Sequence, residues 1–207
     1  MINQSGDYKE LENLVNAIEE AGISWTDLVK SADQIVIFGS RSVGLGTEES
    51  DWDILCVGSC ESKRLKTVEL ICITPSQLET DEWLGSEFAG HIGEYGQWLK
   101  GKDNWSHRTY ISKESIEKKE GRIRRLINAS ENEWPNFPMA YRKKYLDRIR
   151  RDLQRFDMLT KGESIPPNPI LDDIWKNGDQ KEEFLRLAEK VGIISTFVEH
   201  DLVKMIG

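Results

Sequence analysis

Apolar residues recur at Leu11, Leu14, Val15, Ile18 and Ala21, three and four apart, and Gly22 follows as a stop. That spacing predicts an amphipathic helix over about residues 8–21. Ser24 can cap a short second helix that turns Trp25, Leu28 and Val29 inward. The pattern then changes. Residues 34–38 (QIVIF) form a β-branched and aromatic run ending in Gly39-Ser40, which predicts a buried strand. Residues 51–57 read as a second strand, in which the period of two puts Asp51, Asp53 and Leu55 on one face. Residues 68–74 read as a third, closed by Pro75.

Beyond Pro75 the pattern is mostly helical. Gly85, Gly90, Gly93 and Gly96 shorten or break any helix within 76–100. Residues 104–112 read as a strand or a connecting loop. Three longer helical stretches follow, at about 113–130, 138–160 and 180–205. The middle one carries Leu146, Ile149, Leu153 and Phe156 as a stripe, with Arg142, Lys143, Lys144, Arg148, Arg150, Arg151 and Arg155 mostly off it. The prolines of 162–170 (GESIPPNPI) predict a loop. The chain thus divides into an α/β part, about 1–100, and a helical part, about 101–207. The expected class is α+β: a small mixed β-sheet with flanking helices, followed by a C-terminal helical bundle.

Composition narrows the function. Of 207 residues, 38% are hydrophobic and 31% charged, enough for a core without a structural metal. No apolar run approaches a membrane span and the start is polar, so a cytoplasmic protein without membrane partners is expected. Cys56, Cys60 and Cys72 form an odd set without a paired motif. That argues against a disulfide framework and against a zinc site. The net charge of −8 is uneven: residues 113–161 hold 14 Lys and Arg against 8 Asp and Glu, leaving −14 on the remainder. A local basic segment fits a small anionic partner such as nucleotide phosphates better than a long nucleic acid, unless it is only the solvated face of helices.

The segment with chemistry is 38–57, FGSRSVGLGTEESDWDILCV. Gly39 permits a tight turn and close approach of backbone to a ligand. Ser40 and the amides after it offer donors to phosphate oxygens, a helix starting there would add its positive end, and Arg41 can add a planar donor. Asp51 and Asp53, at i and i+2 on a strand, point to one side and can converge on a hard cation such as Mg²⁺. The glycines form neither GxGxxG nor a P-loop, and an isolated Asp-x-Asp says little.

Taken together, the segment closely resembles the signature of the nucleotidyltransferase superfamily of DNA polymerase beta, in particular its minimal and aminoglycoside nucleotidyltransferases from bacteria. The pattern there is a strand, Gly-Ser-Arg, a small-residue loop, Ser-Asp-x-Asp and a second strand. Gly39, Ser40, Arg41, Gly44, Ser50, Asp51 and Asp53 fill those places without a gap. The resemblance implies a third carboxylate on the later strand, where Glu69 stands in place of the usual aspartate. A solvent-facing place on an edge strand is the other reading of Glu69.

The resemblance further implies an enzyme that moves a nucleoside monophosphate from an NTP, with ATP the first candidate, to an acceptor hydroxyl. Asp51, Asp53 and Glu69 would be the catalytic and Mg²⁺-binding residues, and Gly39, Ser40 and Arg41 the nucleotide-binding ones. The acceptor would be a small molecule such as an antibiotic, or a side chain of a partner protein such as a toxin. The alternative is an antitoxin-like protein that keeps the fold and binds a partner without turnover. Elsewhere, His91 and Glu94 could share a helix face near the site, although a surface pair is the plainer reading. His107 and His200 have no partner pattern. Trp52 should point into packing, whereas Trp98 and Trp105 could stack on an acceptor ring.

Overall fold

The computed structural model describes residues 4–177 and 179–206, with side chains from residue 9 onward. It divides into two compact units, one of residues 1–84 with 88–109, the other of 85–87 with 110–207. No helix among the described residues is long and apolar enough to cross a membrane.

The first unit is built on a five-stranded sheet. Helices α1 (Gln4–Glu20) and α2 (Trp25–Ser31) precede it, and Ser24 caps α2 by accepting from the Asp27 amide at 3.2 Å. Strands β1 (Ala32–Phe38), β2 (Trp52–Gly58), β3 (Lys63–Arg64), β4 (Val68–Ile73) and β5 (Gln97–Lys100) line up in the order β3-β4-β2-β1-β5. The pairs β1–β2, β1–β5 and β3–β4 are antiparallel, and β2–β4 is parallel. The mixed sheet with flanking helices is the class expected from the pattern.

Strand alternation gives this sheet two covered faces. Ile35, Ile37, Trp52, Ile54, Cys56, Val68 and Leu70 pack with Leu14, Ile18 and Leu28 of the first two helices. Val36, Phe38, Leu55 and Val57 pack on the other face with Leu78, Leu84, Ala89, Ile92 and Trp105. That second layer comes from α3 (Pro75–Leu78), α4 (Asp81–Leu84), α5 (Glu87–Tyr95) and the segment after β5.

Three details refine the reading of residues 74–112. Pro75 opens α3 as well as closing β4, because Thr74 and Gln77 make a reciprocal cap around it. The stretch 76–100 is not helical throughout: it ends in β5, which exists because β1 has a second edge to pair. Residues 104–112 hold a short 3-10 turn, Ser106–Arg108, and no strand.

The second unit is helical, with α6 (Lys113–Glu133), α7 (Met139–Thr160), α8 (Asn168–Lys176) and α9 (Gln180–Lys190). Its core joins Ile123, Ile127, Leu146, Ile149, Leu153, Phe156, Phe184, Leu187, Phe197 and Leu202. The prolines of 162–170 do not keep that whole stretch a loop. Pro169 stands in the first turn of α8, where a missing amide proton costs nothing. The last helical stretch is also divided, since Gly192 takes a φ of 66° and ends α9 before a π-helical turn at Phe197–Leu202.

Candidate active site

The site grows out of the junction between β1 and β2. Chain direction reverses through residues 39–51, so Phe38 pairs with Asp53 on the antiparallel ladder. Gly39 has a φ of +77°, and a Cβ there would collide with the Asp53 carboxylate. The absent side chain at Gly39 therefore makes room for Asp53. A second positive φ, +71° at Gly44, keeps the segment in turns. No helix begins at Ser40, so the expectation of a helix dipole at this point is corrected.

Arg41 holds the loop together. Its Nε and one terminal nitrogen donate to the Ser50 carbonyl at 3.1 and 2.7 Å, and the same terminal nitrogen donates to the Thr47 carbonyl at 2.9 Å. The guanidinium lies 4.3 Å from the centre of the Trp52 ring. Trp52 is buried among α1, α2 and sheet residues, as its place between two aspartates predicts. Ser50 Oγ accepts from the Thr47 amide at 2.9 Å. These contacts fix the backbone immediately before Asp51. The Ser42 hydroxyl adds a bond to the Gly39 carbonyl at 2.9 Å, a brace the sequence motif did not single out.

Asp53 and Glu69 stand directly opposite each other on the parallel β2–β4 ladder. Neighbouring strands run about 4.8 Å apart, so the two carboxylates share one face side by side. Both side chains are partly exposed, whereas Asp51, before the strand, is exposed. Glu69 is 3.8 Å from the Arg64 guanidinium of β3. Burial pushes the Asp53 carboxyl up to about 6, and the negative charges of Glu69 and then Asp51 push it the same way against the weaker pull of Arg64 and Arg41. Among the described residues no lysine or arginine makes an ion pair with Asp53.

The structure thus brings Asp53, Glu69, Gly39 and the Arg41-braced loop together, with Asp51 at the rim. The oxygen-rich pair of Asp53 and Glu69 fits a hard cation, since it sets two carboxylates side by side and only Glu69 has a cation of the protein, Arg64, within ion-pair distance. The three carboxylates do not themselves close into a ligating cluster. Among the described residues, Cys56, Cys60 and Cys72 are a group whose donor atoms all lie within 4.8 Å of one another.

Other candidates are engaged in contacts within the fold. Trp105 is fully buried, and its indole nitrogen donates to Gln34 Oε1 at 3.1 Å, so it cannot stack on an acceptor. His91 packs edge-on against Phe38, 6.1 Å between ring centres, and tilts against Tyr95. In the basic stretch of α7, Arg150 and Arg151 bind Asp172, and Arg155 binds Asp152 and Asn168. The cysteines also depart from expectation: Cys60 and Cys72 are joined by a disulfide, because the turn after β2 returns Cys60 to the side of β4.

The family model for the nucleotidyltransferase domain matches residues 24–133, from the start of α2 to the end of α6. The chain belongs to this nucleotidyltransferase family. Its fold is similar to a crystal structure of spectinomycin adenyltransferase AAD(9) from Enterococcus faecialis with ATP and spectinomycin, at 13% identity, TM-score 0.50 and 96% coverage of both chains. A nucleotidyltransferase-like protein from Exiguobacterium sibiricum 255-15 aligns at 14% identity and TM-score 0.39, over 94% of this chain and 75% of its own. No curated protein sequence matches the chain. Family membership makes nucleotidyl transfer the class of chemistry, and the match at 13% identity concerns the fold alone.

Proposed function

We propose that the protein transfers a nucleoside monophosphate, from ATP in the first instance, to a hydroxyl of a small cationic acceptor with release of pyrophosphate. The observation that carries this reading is the Asp53–Glu69 pair, two carboxylates side by side, of which Asp53 is held up to about 6 and itself makes no ion pair among the described residues. A protein that only bound a partner would have no use for such repulsion. Asp51, Asp53 and Glu69 would hold Mg²⁺. A bound Mg²⁺ neutralises phosphate charge and lowers the pKa of a hydroxyl in this chemistry.

The chain's own residues do the positioning. Gly39 lets Asp53 reach the mouth of the sheet. The Ser40 hydroxyl would donate to the phosphate groups, while Arg41 supports that place by bracing residues 47–50. An acceptor carrying amines and hydroxyls, of the class that spectinomycin represents in the related fold, suits a chain that is acidic outside residues 113–161.

The test is incubation of the purified chain with α-labelled NTPs, Mg²⁺ and a panel of aminocyclitol and aminoglycoside acceptors, read by mass spectrometry of the acceptor. An added nucleoside monophosphate that disappears with Asp53→Asn is expected. Transfer that persists undiminished in that variant would overturn the assignment. Label appearing only on a co-purified protein would redirect it to a protein side chain.

A further inference from the structure

Three cysteines that sequence spacing left unconnected meet beneath the carboxylate strands. Cys56 of β2 lies opposite Cys72 of β4 on the ladder, and Cys60 returns from the turn after β2. Cys60 and Cys72 are bonded, with Cα atoms 5.7 Å apart, a separation that a disulfide spans without moving the backbone. Both are partly exposed, whereas Cys56 is fully buried. Ser62 adds a polar pin, since its hydroxyl accepts from the Cys72 amide at 2.8 Å. The linked segment spans 12 positions and encloses β3, whose two residues pair with Leu70 and Glu69. Strand alternation places the sulfurs on the face of β4 opposite Glu69.

We propose that Cys60 and Cys72 form a reversible thiol–disulfide site, oxidised by small-molecule disulfides, which clamps the β3–β4 edge carrying Glu69. One cysteine thiolate attacks a sulfur of the small disulfide, forming a mixed disulfide and releasing one small thiolate, which takes up a proton. The second cysteine thiolate then displaces the other small thiolate as the protein bond closes. Two protein thiols thereby give up two electrons and two protons, and one small disulfide becomes two small thiols. Cys56 stays outside this exchange. Burial pushes its thiol up to about 11, and a protonated thiol is a poor nucleophile.

The bond matters locally because it adds a covalent tie to a short, exposed edge. Strand β3 has two residues, both exposed, and besides its short ladder with β4 it is held by the Leu65 amide on the Val68 carbonyl, the Arg64–Glu69 contact and the Ser62 pin. Closing the loop removes freedom from the unfolded chain and from the open edge alike. In a reducing compartment the pair would rest as dithiol and close when the disulfide fraction rises. The link to Glu69 depends on the carboxylate reading above, but the thiol chemistry does not.

The experiment equilibrates the full chain in glutathione buffers of graded oxidised fraction. It reads peptide mapping without reduction, hydrogen exchange over 62–72 and the thermal midpoint. Expected are a Cys60–Cys72 linked peptide, slower exchange over that segment and a midpoint several degrees higher in the oxidised form. Cys60→Ser and Cys72→Ser should each erase the shift, and Cys56→Ser should keep it. Three thiols that remain alkylatable at every poise would overturn the proposal. So would a link that runs through Cys56, or stoichiometric zinc held by all three thiols in the reduced protein. None of these readouts uses nucleotide transfer, so an inactive protein would leave the thiol result standing.

Discussion

Asp53 in the sheet unit is partly buried and Asp157 in the helical unit is buried, and the protein treats them oppositely. Burial pushes the Asp157 carboxyl up, but hydrogen bonds from Lys161, Lys190 and Arg186 outweigh it and bring it down to about 2. Asp53 receives no such bonds and is held at about 6. Asp152 repeats the helical pattern, fully buried with Lys119, Arg122 and Arg155 around it at 3.4, 2.9 and 3.2 Å. The helical unit surrounds Asp157 and Asp152 with its own cations, whereas Asp53 in the sheet unit has carboxylates for its nearest charges and Arg64 stands beside Glu69 instead. A structural carboxylate is satisfied within the fold. On the proposed function, Asp53 is a working one, kept uncomfortable until its cation arrives.

The sharpest way to break this contrast is to neutralise each carboxylate in turn. Asp53→Asn should lower nucleotide transfer by roughly 10²–10³ while raising the thermal midpoint at neutral pH, because it removes a repelled charge. Asp157→Asn should do the reverse. It loosens three cations from α7 and α9, costs about 1–3 kcal/mol in a denaturant melt, and leaves transfer per folded molecule unchanged. If both variants lose stability alike, the contrast is wrong.

The pH dependence separates the two residues further. Asp53 has a folded pKa above its ordinary 3.8, so the folded protein binds more protons than the unfolded chain between about 4 and 6. Stability from this group therefore rises as pH falls through 6 towards 4, by on the order of 2 kcal/mol. Asp157 lies below 3.8, so its stabilisation is complete above that value and disappears as pH falls towards 2. Melts between pH 4 and 7 should show a slope that Asp53→Asn removes and Asp157→Asn retains.

Two smaller effects concern the loop. Gly39→Ala should cost about 1–3 kcal/mol and impair transfer, since its φ of +77° is strained for alanine and its Cβ meets the Asp53 carboxylate. Arg41→Ala should cost about 1 kcal/mol by calorimetry. It should weaken NTP and NMP binding alike, because Arg41 braces residues 47–50; a loss confined to NTP would assign it to the terminal phosphates instead.

Much of this was legible in the chain, and the unread parts share a cause. Residues 34–38, 51–57 and 68–74 announce strands because buried strands are written in their own side chains. Strand β5 is four residues between Gly96 and Gly101, and β3 is two; each exists because a neighbour presents an open edge, which no local pattern records. The Asp53–Glu69 juxtaposition follows once β2 and β4 are parallel neighbours, and a 16-residue separation does not reveal that register. Arg41 was recognisable as a motif residue, but its commitment to the Ser50 carbonyl depends on how the loop turns at Gly39 and Gly44. The Cys60–Cys72 bond was missed for a similar reason: no spacing rule covers a turn that swings back to the next strand.

The most direct measurement is the carbon-13 titration of the Asp53 side-chain carboxyl, with Asp157 as an internal control, run with and without Mg²⁺. Asp53 should titrate near 6 in the absence of the cation and fall well below that when it is added, while Asp157 stays near 2 in both. An Asp53 carboxyl that titrates in the ordinary carboxylate range and ignores Mg²⁺ would contradict the claim that these carboxylates are kept for an external cation.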